Sequence, residues 1–322
     1  MLGLAFLAKL AAVSAVSASW PQPCAEQTVV LRRAADEIEK TYLEASQARR
    51  IAEQVRAWAK SNRYASDCAK PAAFLEQLNV DLRAYDGHFL IERVERDAKQ
   101  DDWLFAWRAG GPASNMGIRE VRILEGNIGY IRLASFYPWD MTRTKLQAAW
   151  QLLGDADALV IDLRQNGGGD AATAEHIVRS ALGPKAADVQ RIERRAVHEP
   201  DAPPAADLEP IAPNVPIAVL VDRRAASASE YVAYSLQAAK RAIVVGSRSA
   251  GAASLLGEPI PLGNGYQISV PSARPVNLVT GGNWDRAGVR PDVAGGDDPI
   301  FVARNELARL RAAGASRSAG SN

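Results

Sequence analysis

Two short turns carry the residue types that nucleophilic chemistry requires. The first, Ala225-Ala226-Ser227-Ala228-Ser229-Glu230, lies between an apolar run and a helical pattern. A serine at the first turn of a helix faces free backbone N–H groups and the positive end of the helix dipole, so negative charge developing beside it is stabilised. Ser227 followed by Glu230 is also a capping box that any helix can use. The second turn, Asp162-Leu163-Arg164-Gln165-Asn166-Gly167-Gly168-Gly169-Asp170, follows the apolar run Ala158 to Ile161 and opens another helix. Its glycines let backbone N–H groups approach a ligand closely. A phosphate loop is a poor reading, because no Gly-Lys-Ser/Thr follows and dinucleotide spacing is absent.

A serine hydroxyl needs a base, and the chain has 3 histidines. His198 lies in a proline-rich stretch. His176 falls outside the apolar stripe Ala174, Ile177, Val178, Ala181 and Leu182, beside Glu175 and Arg179. Both read as solvated. His88 follows Gly87 and opens the alternating run Phe89, Ile91 and Val94, and alone it would read as a strand-end residue. Lys240 is the one lysine beyond Ser227, and thirteen residues along a helix is about 20 Å, outside hydrogen-bond reach of the serine.

Taken together, the turns resemble those of the C-terminal-processing (tail-specific) peptidases, which combine an Asp-Leu-Arg-x-Asn-x-Gly-Gly turn with a Ser-Ala-Ser-Glu turn in this order. Asn127-Ile128-Gly129-Tyr130-Ile131, Ala242-Ile243-Val244-Val245-Gly246 and Gly288-Val289-Arg290-Pro291-Asp292-Val293 add to the likeness, which covers residues 85 to 300. Where the commonest branch carries its lysine base in a Gly-Lys-Gly turn, this chain reads Ser249-Ala250-Gly251-Ala252-Ala253. The pattern is similar instead to the branch with the tricorn protease core and the repeats of interphotoreceptor retinoid-binding protein. There an upstream Asp-Gly-His or Ser-His segment supplies histidine, here Tyr85-Asp86-Gly87-His88.

The resemblance implies a serine peptidase acting on a peptide or protein, with Ser227 as nucleophile and His88 as base. Asp285, in Asn283-Trp284-Asp285-Arg286, is implied as the acid that orients the imidazole, with Glu230 as the alternative. Backbone N–H groups of Gly168 and Ala228 are implied as the oxyanion hole. Gly87 stands where the tricorn pattern has a serine, so that hydroxyl is missing. No metal or organic cofactor is implied. A non-catalytic binding module for an apolar ligand or peptide, as in the retinoid-binding repeats, is the main alternative, and an esterase is the third. The implied fold is a crotonase/ClpP-like superhelix of strand-strand-helix units; no PDZ-like insertion is evident between His88 and Asn127, so a preference for C-terminal tails is not implied.

The chain has 322 residues, 48% of them hydrophobic, enough for one large or two ordinary domains. Lys plus Arg total 38 against 37 for Asp plus Glu, which leaves no positive field for nucleic acid. Residues 1–19 are apolar, end in small residues and read as a signal peptide, implying a periplasmic or secreted protein in a bacterium. Lys9 interrupts the run, so no stable membrane span is expected. Cys24 and Cys68 would pair in an oxidising compartment or stay as two thiols, and no metal-spaced cluster is present. Helical spacing over 26–60 and 71–84 predicts a helical N-terminal domain, residues 20–84. From 85 to 310, strands near 88–94, 118–124, 127–133, 157–162, 215–221 and 242–246 alternate with helices near 140–153, 170–182 and 228–239, which predicts an α/β core. The Ala-, Gly- and Ser-rich end, 311–322, reads as a disordered tail. Nothing in the sequence specifies an oligomeric state.

Overall fold

The computed structural model describes residues 25–67, 70–94, 102–183, 189–195 and 208–319. Helices α1 (Ala25–Thr41), α2 (Ala45–Lys60) and α3 (Pro71–Arg83) come first, then β1 (Leu90–Arg93) and α4 (Asp102–Gly110). The chain continues through β2 (Ile118–Leu124), β3 (Ile128–Leu133), α5 (Trp139–Leu152), β4 (Ala158–Asp162), α6 (Ala171–Leu182) and β5 (Gln190–Arg194). It ends with β6 (Ile217–Val221), α7 (Ala228–Ala238), β7 (Ala242–Gly246), β8 (Leu255–Leu256), β9 (Ile260–Gly263), β10 (Tyr266–Ser269), β11 (Pro271–Asn277), β12 (Val293–Ala294) and α8 (Pro299–Ala319).

The uninterrupted apolar runs of β4 and β6 are buried along their whole length, as strands covered on both faces must be. They occupy the middle of a six-stranded sheet of order β12-β7-β6-β4-β3-β2, parallel except for the β2–β3 pair. One face packs on α5, α6 and α7 through Leu146, Ile177, Val232 and Leu236. The other packs on α8 through Ala303 and Leu307. Helices α6 and α7 each begin just past the carboxyl end of a central strand, so the glycine turn after β4 and the serine turn after β6 are set side by side at one edge. In parallel α/β sheets that edge is where ligands bind.

Two expectations about boundaries are corrected. The helical N-terminal unit does not close at residue 84: its core joins Ile38, Ile51, Phe74 and Leu78 to Phe89, Ile91, Leu262 and Ile268. These last four lie on or beside the small antiparallel sheet β1-β10-β9, in which Leu90 to Arg93 pair with Ser269 to Tyr266. The strand after His88 thus belongs with the N-terminal helices, which bury one of its faces. The end of the chain, expected to be disordered from residue 311, is helical to Ala319. Alanine is the strongest helix former, and Arg311 anchors the helix by donating to the Gly126 carbonyl at 2.9 Å and to Asp157 at 2.7 Å. Cys24, Cys68, His198 and the signal-like segment lie outside the described residues.

Candidate active site

The glycine turn is locked by its own polar residues. Asp162 is fully buried, and its carboxylate accepts the Tyr130 hydroxyl at 2.7 Å and the Arg164 guanidinium at 2.6 Å. This accounts for the Asp-Leu-Arg spacing without a chemical role. Asn166, also buried, donates to the Leu133 carbonyl at 3.0 Å and accepts the Gly168 N–H at 2.8 Å. Its own carbonyl takes the Ala226 N–H at 3.0 Å and the Ser229 hydroxyl at 2.5 Å, which clips the glycine turn to the serine turn. Ser229 is therefore an interior fastener, with no exposed surface.

Ser227 is half-buried and has φ 56° and ψ −120°, a left-sided conformation that non-glycine residues adopt at a cost of about 1–3 kcal/mol. Such strain characterises a nucleophile held on a strand-to-helix elbow. Gly168, at φ 101°, presses against it: a Cβ there would stand 2.8 Å from the Ser227 Cβ and 3.0 Å from the Ala228 nitrogen. Ala228, the first residue of α7, has an N–H with no preceding helical turn to accept it. Of the two donors expected for an oxyanion hole, the Ala228 N–H opens α7, whereas the Gly168 N–H is occupied by Asn166. Gly168→Ala is expected to slow reaction of Ser227 with a fluorophosphonate by about 100-fold, the scale of a misplaced reacting group. Labelling rates beside circular dichroism measure it.

His88 lies in the turn before β1 with its side chain 14% exposed. Its Nδ1 is 3.0 Å from Asp86 Oδ1, which also accepts the His88 backbone N–H at 3.0 Å. The acid at His88 is thus Asp86, not Asp285. A short Asx turn brings it there, an aspartate oxygen bonding its own chain two residues on. The other oxygen of Asp86 takes the Ser254 hydroxyl at 3.1 Å and the Tyr42 hydroxyl at 3.3 Å. Burial pushes the Asp86 carboxyl up, yet the hydrogen bonds from His88 and Ser254 outweigh it and hold it below the usual carboxylate range. Burial, then the Asp86 charge, push the Tyr42 phenol up. His88 Nε2 is buried and has no hydrogen-bond partner among the described residues.

Asp285 accepts the Ala253 N–H at 3.4 Å and sits 3.7 Å from Arg286. Glu230, the alternative orienting acid, does not meet His88 either. It is fully buried and binds the Ser227 N–H at 2.9 Å, the Ser249 hydroxyl at 2.5 Å, the Gly251 N–H at 2.6 Å and the Ala252 N–H at 2.8 Å. Burial pushes its carboxyl up, against four donors that favour the ionised form. It holds the Ser249 to Ala252 segment in place. That segment also bridges the halves of the site: Ala252 shares Glu230 Oε2 with Ser227, and Ser254, two residues on, bonds Asp86. Two residues span at most about 7 Å.

His176 is buried rather than solvated, stacked on Trp139 with ring centroids 3.7 Å apart. The face of α6 that carries Glu175 and Arg179 is covered by α5 and α7, where Tyr231 donates to Glu175, so the charged neighbours misled. Lys240 follows the far end of α7. Among the described residues no group of histidine, cysteine, aspartate and glutamate is arranged to hold a metal.

The model of peptidase family S41 matches residues 127–294, just over half of the chain. The chloroplastic C-terminal processing peptidase of Tetradesmus obliquus is 33% identical over 171 residues, 52% of this chain and 34% of that protein. The carboxy-terminal-processing protease of Bartonella bacilliformis is 32% identical over 185 residues, 53% of this chain and 39% of that one. The chain therefore spans under half the length of these curated relatives. In three dimensions it is similar to the photosystem II D1 C-terminal processing protease, with TM-score 0.51 and 18% identity over 85% of this chain and 94% of that one. It is also similar to a lipoprotein from Streptococcus agalactiae, with TM-score 0.59 and 15% identity over 90% and 98%. These likenesses show a common fold. The matched segment holds both turns, the Glu230-bound bridge and Asp285, and by that match the chain belongs to peptidase family S41.

Proposed function

We propose that the protein is a serine hydrolase that cleaves peptide bonds in a peptide or protein substrate. The observation that carries this reading is the state of His88: Nδ1 is fixed on Asp86 while Nε2 is buried without a partner, beside the bridge tied to the Ser227 backbone. In the reaction, Ser227 Oγ attacks the scissile carbonyl and its proton passes to His88 Nε2. Asp86 keeps the proton on Nδ1 and stabilises the imidazolium. The carbonyl oxygen, gaining charge, meets the Ala228 N–H and the start of α7. The proton on Nε2 then goes to the leaving amine, and water repeats the sequence on the acyl-enzyme.

The test is labelling by a fluorophosphonate, which needs an activated serine. Wild type is expected to label and Ser227→Ala not to. Equal labelling of the two would reject the assignment. Ser229→Ala is not a neutral control, since it removes the clip between the turns.

A binding module on the same scaffold is the second reading, favoured by one fact: Ser227 Oγ is not among the partners of His88 Nε2. Absence of labelling with intact peptide binding would select it. Hydrolysis of small esters without peptides would select the esterase. Among the described residues no helix is long and apolar enough to cross a membrane. The composition of residues 1–19 supports export, which N-terminal sequencing of the mature chain tests.

A further inference from the structure

A polar cavity of about 250 Å³ adjoins the site between the α1–α2 turn and the segment that follows β11; its walls include Tyr42, Glu44, Asp86, Arg274, Asp285 and Arg286. Most of its charged groups are occupied. Arg274 is held by Glu44 at 2.8 Å and by Glu193 at 3.2 Å. Gln47 donates to the other oxygen of Glu44 at 2.5 Å, and Arg286 donates to the Tyr85 carbonyl. Asp86 has its four donors. Asn283 accepts the Asp285 N–H at 2.9 Å and donates to the Pro275 carbonyl at 2.9 Å.

Asp285 is the exception. Its carboxylate receives one long hydrogen bond, 3.4 Å from the Ala253 nitrogen, and lies 3.7 Å from Arg286 with 32% of the side chain exposed. An ionised carboxylate offers about four acceptor positions, so most of this one's capacity faces the cavity unused. Its position relative to the reaction is fixed by the bridge. Ala253 follows Ala252, whose N–H shares a Glu230 oxygen with the N–H of Ser227, and consecutive Cα atoms are about 3.8 Å apart.

We propose that Asp285 is a specificity-determining residue, its carboxylate receiving a lysine or arginine side chain of the bound peptide within a few residues of the scissile bond. The inference rests on the reading of the site as one that takes peptides. Arg274 is held by two carboxylates, and a cation completes a charge-assisted hydrogen bond to Asp285 that the distant Arg286 leaves open.

The experiment uses Ser227→Ala protein, so that nothing is cleaved, and fluorescence anisotropy with acetylated alanine-rich hexapeptides carrying lysine, norleucine or glutamate at one position at a time. At one position lysine is expected to bind at least about tenfold more tightly than norleucine, with glutamate weakest. Asp285→Asn in the same background is expected to bring the lysine and norleucine peptides within about twofold without changing norleucine binding, and Asp285→Glu to restore the gap. Equal affinities at every position, a preference for glutamate, or a lysine gap that survives Asp285→Asn would each overturn the proposal. Fluorophosphonate labelling of the protein with Ser227 intact separates the two readings: a labelled protein without a lysine gap rejects this inference alone, and a lysine gap in a protein that does not label rejects the hydrolase alone.

Discussion

Asp86→Asn is expected to lower turnover by roughly 10³- to 10⁴-fold while leaving the fold in place, as losing the orienting acid does in serine triads. An amide at this position presents its NH₂ or its carbonyl to Nδ1 with nearly the same shape, but it cannot stabilise an imidazolium, and it permits the tautomer whose Nε2 already carries a proton. Asp285→Asn is expected to leave turnover of a neutral small ester within a few-fold of wild type, because its carboxylate does not reach the imidazole. Turnover on that ester, with circular dichroism as the folding control, decides between them. Collapse in Asp285→Asn with Asp86→Asn little affected would restore the acid implied by family resemblance. The same substitution has a signature in stability. Asp86 has a lowered pKa in the folded protein. A depressed carboxylate binds protons more readily when unfolded, so its contribution is fully present above the ordinary carboxylate value of about 3.9 and disappears as pH falls through the lowered one. Asp86→Asn should therefore remove part of the acid-induced fall in Tm and flatten its slope below about pH 4.

The sheet was legible because its strands are sequence-local: Ala158 to Asp162 and Ile217 to Val221 are apolar without interruption, and each ends at a turn rich in glycine or serine. The two turns could be paired from residue types alone. What brings them together, the Asn166 carbonyl receiving the Ala226 N–H and the Ser229 hydroxyl, joins residues about sixty positions apart, and neither turn's own pattern specifies the other as its partner. Strands β8 to β10 are short and set among Gly257, Pro259, Pro261, Gly263 and Gly265, and β11 carries Pro271 and Pro275, so none of them shows as a strand pattern. Their partners are far away in sequence, so periodicity could not show that β10 pairs with β1. The acid at His88 has a local sequence signal. Asp-Gly before a histidine is itself an Asx-turn sequence, and that turn delivers the carboxylate to Nδ1 across two residues without help from a distant segment. Tyr42 and Ser254, which complete the shell around Asp86, come from the turn between α1 and α2 and from the bridge, and only the folded chain unites them.

His88→Ala is expected to reduce turnover by about 10⁶-fold, the scale of losing the base of a unit that works together, with Lys240→Ala near wild type. The resemblance implies a lysine base in the commonest branch, and this chain has alanine at the corresponding Ala252. Lys240 lies past the end of α7 while Ser227 caps its start, so the length of the helix separates them. His176→Ala is the second comparison. It removes a stacked ring from the interior, so it should lower Tm and leave the chemistry of the surviving folded protein intact. Adding imidazole to the medium should recover part of the lost rate in His88→Ala alone, because the alanine leaves space beside Asp86 for the missing ring. Inactivity of Lys240→Ala with His88→Ala unaffected would instead mean a lysine base reached by a rearrangement of α7, and His88 would then be a turn residue whose buried Nε2 has no function.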